Sequence, residues 1–362
     1  MDIRNNALRG IAILGIMLHN YCHWLGFAVK ENEYTFSVGN AVQFWYKLTS
    51  FDHDILIHFF SFLGHYGVPV FLFVSGYGLV MKYENGLCNN MPDGNSQPAM
   101  PAAGRFMRYH YLKLFRLMII GYAVFVVVYF LRNGDGSVVY SWDRVLAQLA
   151  MVVNFVYANP DKVIKPGPYW YFGLMLQLYA LYVLVLNRWR GKKLLVGTVV
   201  LCWLFQLGAD YVGSGVLNYV RYNFVGAVLP FAMGIAYGRW GRELSRAGYL
   251  ALLLLSGAMV LFGSFWFGWW LWVPAFVVIG AVSTVRLLPA SLLCPLSWVG
   301  TLSAAMFVMH PLAREIIIGH YRRSEIYSGI VIYVFTAFAM SMLLRYILKL
   351  LLSGKTFSNK IN

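Results

Sequence analysis

The sequence predicts an all-α, polytopic membrane protein of about ten transmembrane helices with both termini in the cytoplasm. Three observations predict it. Of 362 residues, 60% are hydrophobic and only 12% are charged, about half the charged share of an average soluble domain. Apolar runs recur from one end of the chain to the other, most of them near the ~20 residues that a helix needs to cross a bilayer. The basic residues gather in alternate connections, as they do when Lys and Arg stay on the cytoplasmic side.

The ten expected spans lie near 7–27, 63–83, 112–131, 168–187, 194–210, 219–238, 247–264, 269–286, 292–313 and 326–348. An even number puts both termini on one side. Cytoplasmic termini then place 19 of the 29 Lys and Arg inside, with only four of the 14 acidic residues (Asp2, Glu84, Asp93 and Glu243). The whole net charge of +15 is thus accounted for by orientation, and a nucleic-acid partner is unnecessary. Residues 1–352 read as one transmembrane domain and 353–362 as a cytoplasmic tail, in the plasma (inner) membrane of a bacterium. The first span is not a cleavable signal, because His19, Asn20 and His23 interrupt it and no small-x-small cleavage site clearly follows it. Long connections are expected at 28–62 and 132–167 outside and at 84–111 inside. Within the third expected loop, Val145–Tyr157 is apolar but too short to span, which suggests a re-entrant or interfacial helix. Cys22, Cys88, Cys202 and Cys294 are scattered with no CxxC spacing, so neither a disulfide framework nor a metal site is implied.

The first span carries the most information. Ala7 to Leu25 is apolar, yet it holds Arg9 at its start, His19 near its middle, and Asn20 and His23 beyond. Ionisable groups at that depth are costly and mark function by default. The structural alternative is a His that hydrogen-bonds across a helix interface and an Arg that snorkels. On a helix, with ~100° per residue, eleven residues return to the Arg9 face within about 20°, whereas ten land about 80° away. The in-phase position is Asn20, and His23 returns within about 40° by the same geometry. His19 and His23 therefore both stand as candidate bases.

Other candidates follow. Ser75-Gly76-Tyr77 sits mid-membrane in the second span and permits a close helix approach. Arg105, Arg108, His110, Lys113 and Arg116 precede and open the third. They read either as ordinary positive-inside charge or as a phosphate clamp, since Arg at i and i+3 share a helix face and can fork onto phosphate oxygens. His310 ends the ninth span as an acceptor-side group or an interfacial His. Asp52-His53-Asp54 reads as a solvated loop with no third ligand spaced for a metal. Outer aromatics such as Trp142, Trp170 and Trp266 are membrane-interface anchors or platforms for sugar rings.

Taken in order, these pieces resemble the membrane acyltransferase-3 family. The likeness rests on Arg9-Gly-x-Ala12 with His19, then Ser75-Gly76-Tyr77, then Arg105-x-x-Arg108. It continues with Pro168-Tyr-Trp-Tyr-Phe172, with Gly226 to Gly238, and with the Leu296 to Pro311 helix that ends in His310-Pro311. In that family the His stands one residue further from the Arg. The resemblance implies an integral O-acyltransferase with acyl-CoA as cytoplasmic donor, acetyl being the commonest group, and no metal. It implies an acceptor hydroxyl outside, on a glycan or glycolipid, and leaves a homo-oligomer open. By the same resemblance Arg9 and His19 are the catalytic pair. Ser75, Gly76 and Tyr77 shape the donor channel, and Arg105 and Arg108, with Arg116 beside them, hold CoA phosphates. His23, Trp170 and His310 are the acceptor-side candidates. The competing readings are a transporter or flippase of a lipid-linked saccharide and a non-catalytic scaffold. Neither accounts for the ordered Arg, His, Ser-Gly and Arg-x-x-Arg set.

Overall fold

The computed structural model describes residues 3–85, 101–134, 139–321 and 325–358, with side chains described through Leu350. The Asn89–Pro98 stretch, Cys88 and the last four residues of the expected tail lie outside the described residues. Among those described, the structure is helical throughout and holds no strand.

The chain begins with α1 (Ile3–Cys22). The expected outer loop carries α2 (Val38–Thr49) and α3 (Ile55–Leu63), and a 3₁₀ turn, Gly64–Tyr66, leads into α4 (Gly67–Tyr83). Ser37 starts α2 by accepting from the Asn40 N–H, the usual task of a serine N-cap. Phe44 then stacks on Phe62 of α3 at 4.5 Å, so this connection is a folded cover. Next is α5 (Ala103–Asn133), which starts about nine residues before the expected third span and takes in the whole basic cluster. In place of one re-entrant segment stand three short helices, α6 (Trp142–Leu149), α7 (Val153–Val156) and α8 (Pro160–Val163).

The second half holds α9 (Trp170–Leu181), α10 (Lys192–Val212), α11 (Ser214–Arg221) and α12 (Phe224–Trp240). It continues with α13 (Arg246–Gly263), α14 (Phe267–Trp270) and α15 (Val273–Leu287). It ends with α16 (Ala290–Tyr321) and α17 (Ile326–Ser358). Seven segments among the described residues are long and apolar enough to cross a membrane: 55–83, α5, 167–186, α10, α13, α16 and 326–350. Helices α1, α12 and α15 cover the remaining three expected spans. The first of these carries too many polar groups to match an apolar span by composition, and the other two are 17 and 15 residues long.

Helix α1 lies at the centre of the bundle. It packs along α16 and against α4, α3 and the 3₁₀ turn. Helix α17 runs antiparallel to it, since Tyr333 near the start of α17 donates to the Met17 carbonyl at 2.9 Å and its ring meets Tyr21 near the end of α1. Glycine makes these contacts possible. A Cβ on Gly300 would run into the Asn6 carbonyl, and one on Gly10 into the Leu296 carbonyl. One on Gly64 would collide with the Gly15 carbonyl and the His19 Cβ. The α1–α16 contact is therefore made backbone to backbone. Gly300→Leu is expected to lower stability by about 1–3 kcal/mol by overpacking, read as a lower thermal midpoint in detergent. Gly197→Leu, whose Cβ would meet nothing within 4 Å, is the control and should leave the midpoint in place.

At the basic end of the bundle Glu84, just past α4, is buried with Arg239 of α12. The guanidinium forks onto the carboxylate at 2.7 and 2.8 Å, and Tyr182 donates to the same carboxylate at 2.9 Å. This pair ties α4, α12 and the turn after α9 together.

Candidate active site

One face of α1 opens onto a cavity of about 410 Å³, within the size range of small-molecule sites. His19 and Asn20 line it from α1, and His23 and Trp24 from the segment that follows. His65, Trp170, Tyr171, Tyr222 and Arg314 close it from four other elements. The expected candidates His19, His23 and Trp170 thus share one chamber.

The orientation of His19 follows from a single bond. Its Nδ1 lies 3.0 Å from the Ser61 carbonyl of α3. A carbonyl oxygen only accepts, so Nδ1 carries the hydrogen and Nε2 keeps a lone pair. Ser61 is itself fixed, with its hydroxyl donating to the Val29 carbonyl at 2.6 Å. The His19 ring has two imidazole neighbours, His65 at 4.7 Å and His23 at 5.1 Å between centroids.

His65 has its own partner. Its Nδ1 is 2.8 Å from a Glu33 carboxylate oxygen. Glu33 is 3% exposed, and burial pushes its carboxyl up, against the smaller opposing pull of His65. The segment that carries it is pinned from across the fold. Arg221 of α11 donates to the Glu33 carbonyl, and Trp270 of α14 and Tyr66 both donate to the carbonyl of buried Asn32.

Aromatic rings form the opposite wall. Tyr34 stacks on Tyr222 at 4.4 Å and meets Trp170 edge-on at 5.3 Å. Asp161 lies beside the Tyr222 hydroxyl, and burial pushes its carboxyl up. Arg314 of α16 donates to the Asn20 side-chain carbonyl at 2.6 Å and lies over the Trp24 ring at 4.6 Å. His310, one turn before it, is fully buried, with Nδ1 donating to the Met306 carbonyl at 3.0 Å. It does not line the chamber. Trp142 and Trp266 are exposed on the surface, away from it.

Arg9 lies about 15 Å along the helix from His19, at 1.5 Å per residue. It is half-buried, and Tyr179 and Tyr171 of α9 lie near enough to act on its charge. Tyr171 also neighbours the Ser75 side chain and lines the chamber, so one tyrosine stands between Arg9, Ser75 and the imidazole site. Toward the basic end, the Tyr179 ring is 4.3 Å from His110, whose Nε2 meets the Tyr83 hydroxyl at 3.1 Å. Arg105, Arg108 and Arg116 are exposed along α5, with Arg108 within one turn of His110 and Arg105 in the turn before it.

The three positions of Ser75-Gly76-Tyr77 face different neighbours. Successive residues on a helix point ~100° apart. Ser75 faces Tyr171, and Gly76 lets the backbone of α12 approach at Phe231. Tyr77 packs beside Phe73 and Tyr237, facing Arg4 and Arg286 across a separate small cleft.

Sequence reasoning passed over His65, Asp161 and Arg314, which line the chamber, and Glu33, which pairs with His65. Two carried a signal. His65 and Arg314 are ionisable residues within or at the edge of apolar runs, the same cue that singled out His19. Glu33 and Asp161 sit in polar loop sequence, and no local pattern marks them.

No curated protein and no solved structure matches the chain. A family model described as an acyltransferase domain matches residues 4–349. That match takes in α1, the chamber it lines and nearly every helix around it, and the multi-pass membrane protein described here belongs to the acyltransferase-3 family.

Proposed function

We propose that this membrane acyltransferase takes an acyl group, acetyl in the first instance, from cytoplasmic acyl-CoA and transfers it to a hydroxyl of an extracytoplasmic or lipid-linked glycan. The observation that carries the reading is His19, held by Ser61 with Nε2 left as the free base, in a membrane-depth chamber with polar and aromatic walls. Acyl transfer from a thioester needs a nitrogen that can act as base or nucleophile. Neutral imidazole supplies it near pH 7.

The two sides of the site support different partners. Toward the basic end, exposed Arg105 and Arg108 suit CoA phosphates, and the line from His110 and Tyr179 through Arg9 to Tyr171 leads inward. Arg9 in this reading holds the donor. Toward the other end, Trp170, Tyr222 and Trp24 offer flat apolar faces, and Glu31, Asp161 and Lys162 offer polar groups, a mixture that suits a sugar ring. In this orientation the termini are cytoplasmic and the helices over the ten expected spans all cross the membrane.

Purified protein is expected to release CoA thiol from acetyl-CoA, and envelope glycans from cells expressing it should carry an ester that is missing without it, seen by mass spectrometry. A protein that releases no thiol, and that moves a lipid-linked saccharide across liposomes instead, would sink the reading. Arg9→Ala is expected to raise the KM for acetyl-CoA by roughly 10-fold or more, about the loss of one charge-assisted hydrogen bond, with a smaller change in kcat. An unchanged KM would remove Arg9 from the donor site.

A further inference from the structure

The chamber holds two imidazoles fixed by hydrogen bonds, and transfer directly from donor to acceptor needs only one. His19 is fixed by the Ser61 carbonyl, and His65 by the Glu33 carboxylate, with 4.7 Å between the rings. We propose that His65 is a second catalytic residue, the base that deprotonates the acceptor hydroxyl while the acyl group is carried on His19. This rests on the acyl-CoA reading and extends it to a two-step relay.

The chemistry explains why a second base is required. In the first step the His19 Nε2 lone pair attacks the thioester carbonyl. An N–C bond forms, the C–S bond breaks, and CoA leaves as the thiolate. His19 now bears the acyl group on Nε2 and a hydrogen on Nδ1, so it has no lone pair with which to accept a proton. In the second step the acceptor oxygen attacks the acyl carbon, and its proton passes to His65 Nε2. The C–N bond breaks and its electron pair returns to His19. The proton on His65 is then released to the thiolate or to water, which leaves ester, CoA thiol and the starting enzyme.

The surroundings of His65 suit this task. Glu33 accepts from Nδ1, which directs the His65 lone pair to Nε2, the arrangement by which a carboxylate sets the tautomer of a catalytic imidazole. Glu33 is a positioning residue in this scheme. A buried His–carboxylate pair is poor support for stability, because desolvation offsets most of the attraction. Yet the chain holds it in place with three long-range hydrogen bonds, from Arg221, Trp270 and Tyr66, to the backbone of Asn32 and Glu33. Among the described residues, no carboxylate pairs with His23, the other imidazole near His19, as Glu33 pairs with His65 at 2.8 Å.

The test uses the full-length protein in nanodiscs with acetyl-CoA as donor and three acceptor probes: water, methyl β-D-glucopyranoside and hydroxylamine. His65→Gln is expected to release about one equivalent of CoA thiol per protein and then stall. Acetyl should accumulate on the peptide containing His19, and turnover with water or the glucoside should fall by about 10²-fold or more. Hydroxylamine attacks acyl-imidazoles without a general base and should restore turnover. Glu33→Gln should show the same pattern with a smaller loss, and His19→Ala/His65→Gln should release no equivalent at all. Loss of the first equivalent in His65→Gln, or turnover at the wild-type rate, would overturn the proposal, as would slow turnover that hydroxylamine does not restore. In each of those cases a wild-type protein that releases thiol keeps the acyl-CoA reading intact. A wild-type protein that releases none overturns both.

Discussion

His19→Gln is expected to lower acyl transfer from acetyl-CoA by roughly 10²–10⁴-fold, the usual contribution of a positioned acid–base group. The size of the loss comes from chemistry and not from folding. Gln keeps a side-chain N–H that can reach the Ser61 carbonyl, now met by Nδ1 at 3.0 Å, but an amide nitrogen has no basic lone pair to offer. The variant should therefore keep the wild-type thermal midpoint and the wild-type KM for the donor, and lose kcat. His23→Gln is the companion measurement. His23 lines the same chamber and competes with His19 on helical phase alone, so it decides between the two. Turnover that survives His19→Gln and collapses in His23→Gln would transfer the role to His23.

The second large effect is on stability. Arg239→Ala removes the fork from Glu84, whose side chain is 4% exposed. Breaking a buried pair from one side typically costs about 3–5 kcal/mol, because the remaining charge is left uncompensated. Arg190 lies 3.8 Å away and is half-exposed, so it recovers only part of that loss. The measurement is the thermal midpoint in detergent, and the diagnostic is the double variant. Glu84→Gln/Arg239→Gln removes both charges and should regain most of the loss. A double variant as unstable as Arg239→Ala would mean that the Arg239 side chain matters for its packing and its bond to the Leu186 carbonyl at 2.7 Å, and that the charge pair matters little.

What was legible in the sequence follows from how each feature is encoded. Helices were legible because apolar length is local information, and each expected span has a helix over it. Their ends were less so. Helix α5 runs back to Ala103 because Arg, Met, Tyr and Leu at 105–112 are acceptable helix formers, although the charge of Arg105 and Arg108 makes the stretch read as loop. His19 and Arg9 were legible because an ionisable group in an apolar run has few explanations. Glu33 was not. It sits among polar residues in a loop, and its burial is created by Arg221, Trp270 and Tyr66, which approach it only in the folded state. Ser75-Gly76-Tyr77 was legible as a motif but not in its directions, because helical rotation turns the three adjacent positions toward three different neighbours.

The backbone contact between α1 and its neighbours has a consequence for how such an enzyme can diversify. Since Gly10, Gly15, Gly64 and Gly300 bring main chain against main chain, much of the seat of the helix that bears the imidazole is set by backbone contact. The surfaces proposed to meet an acceptor, around Tyr34, Trp170 and Tyr222, belong to other segments of the polypeptide. On that reading, those segments are free to be exchanged for new recognition surfaces while the proposed reacting nitrogen stays in place.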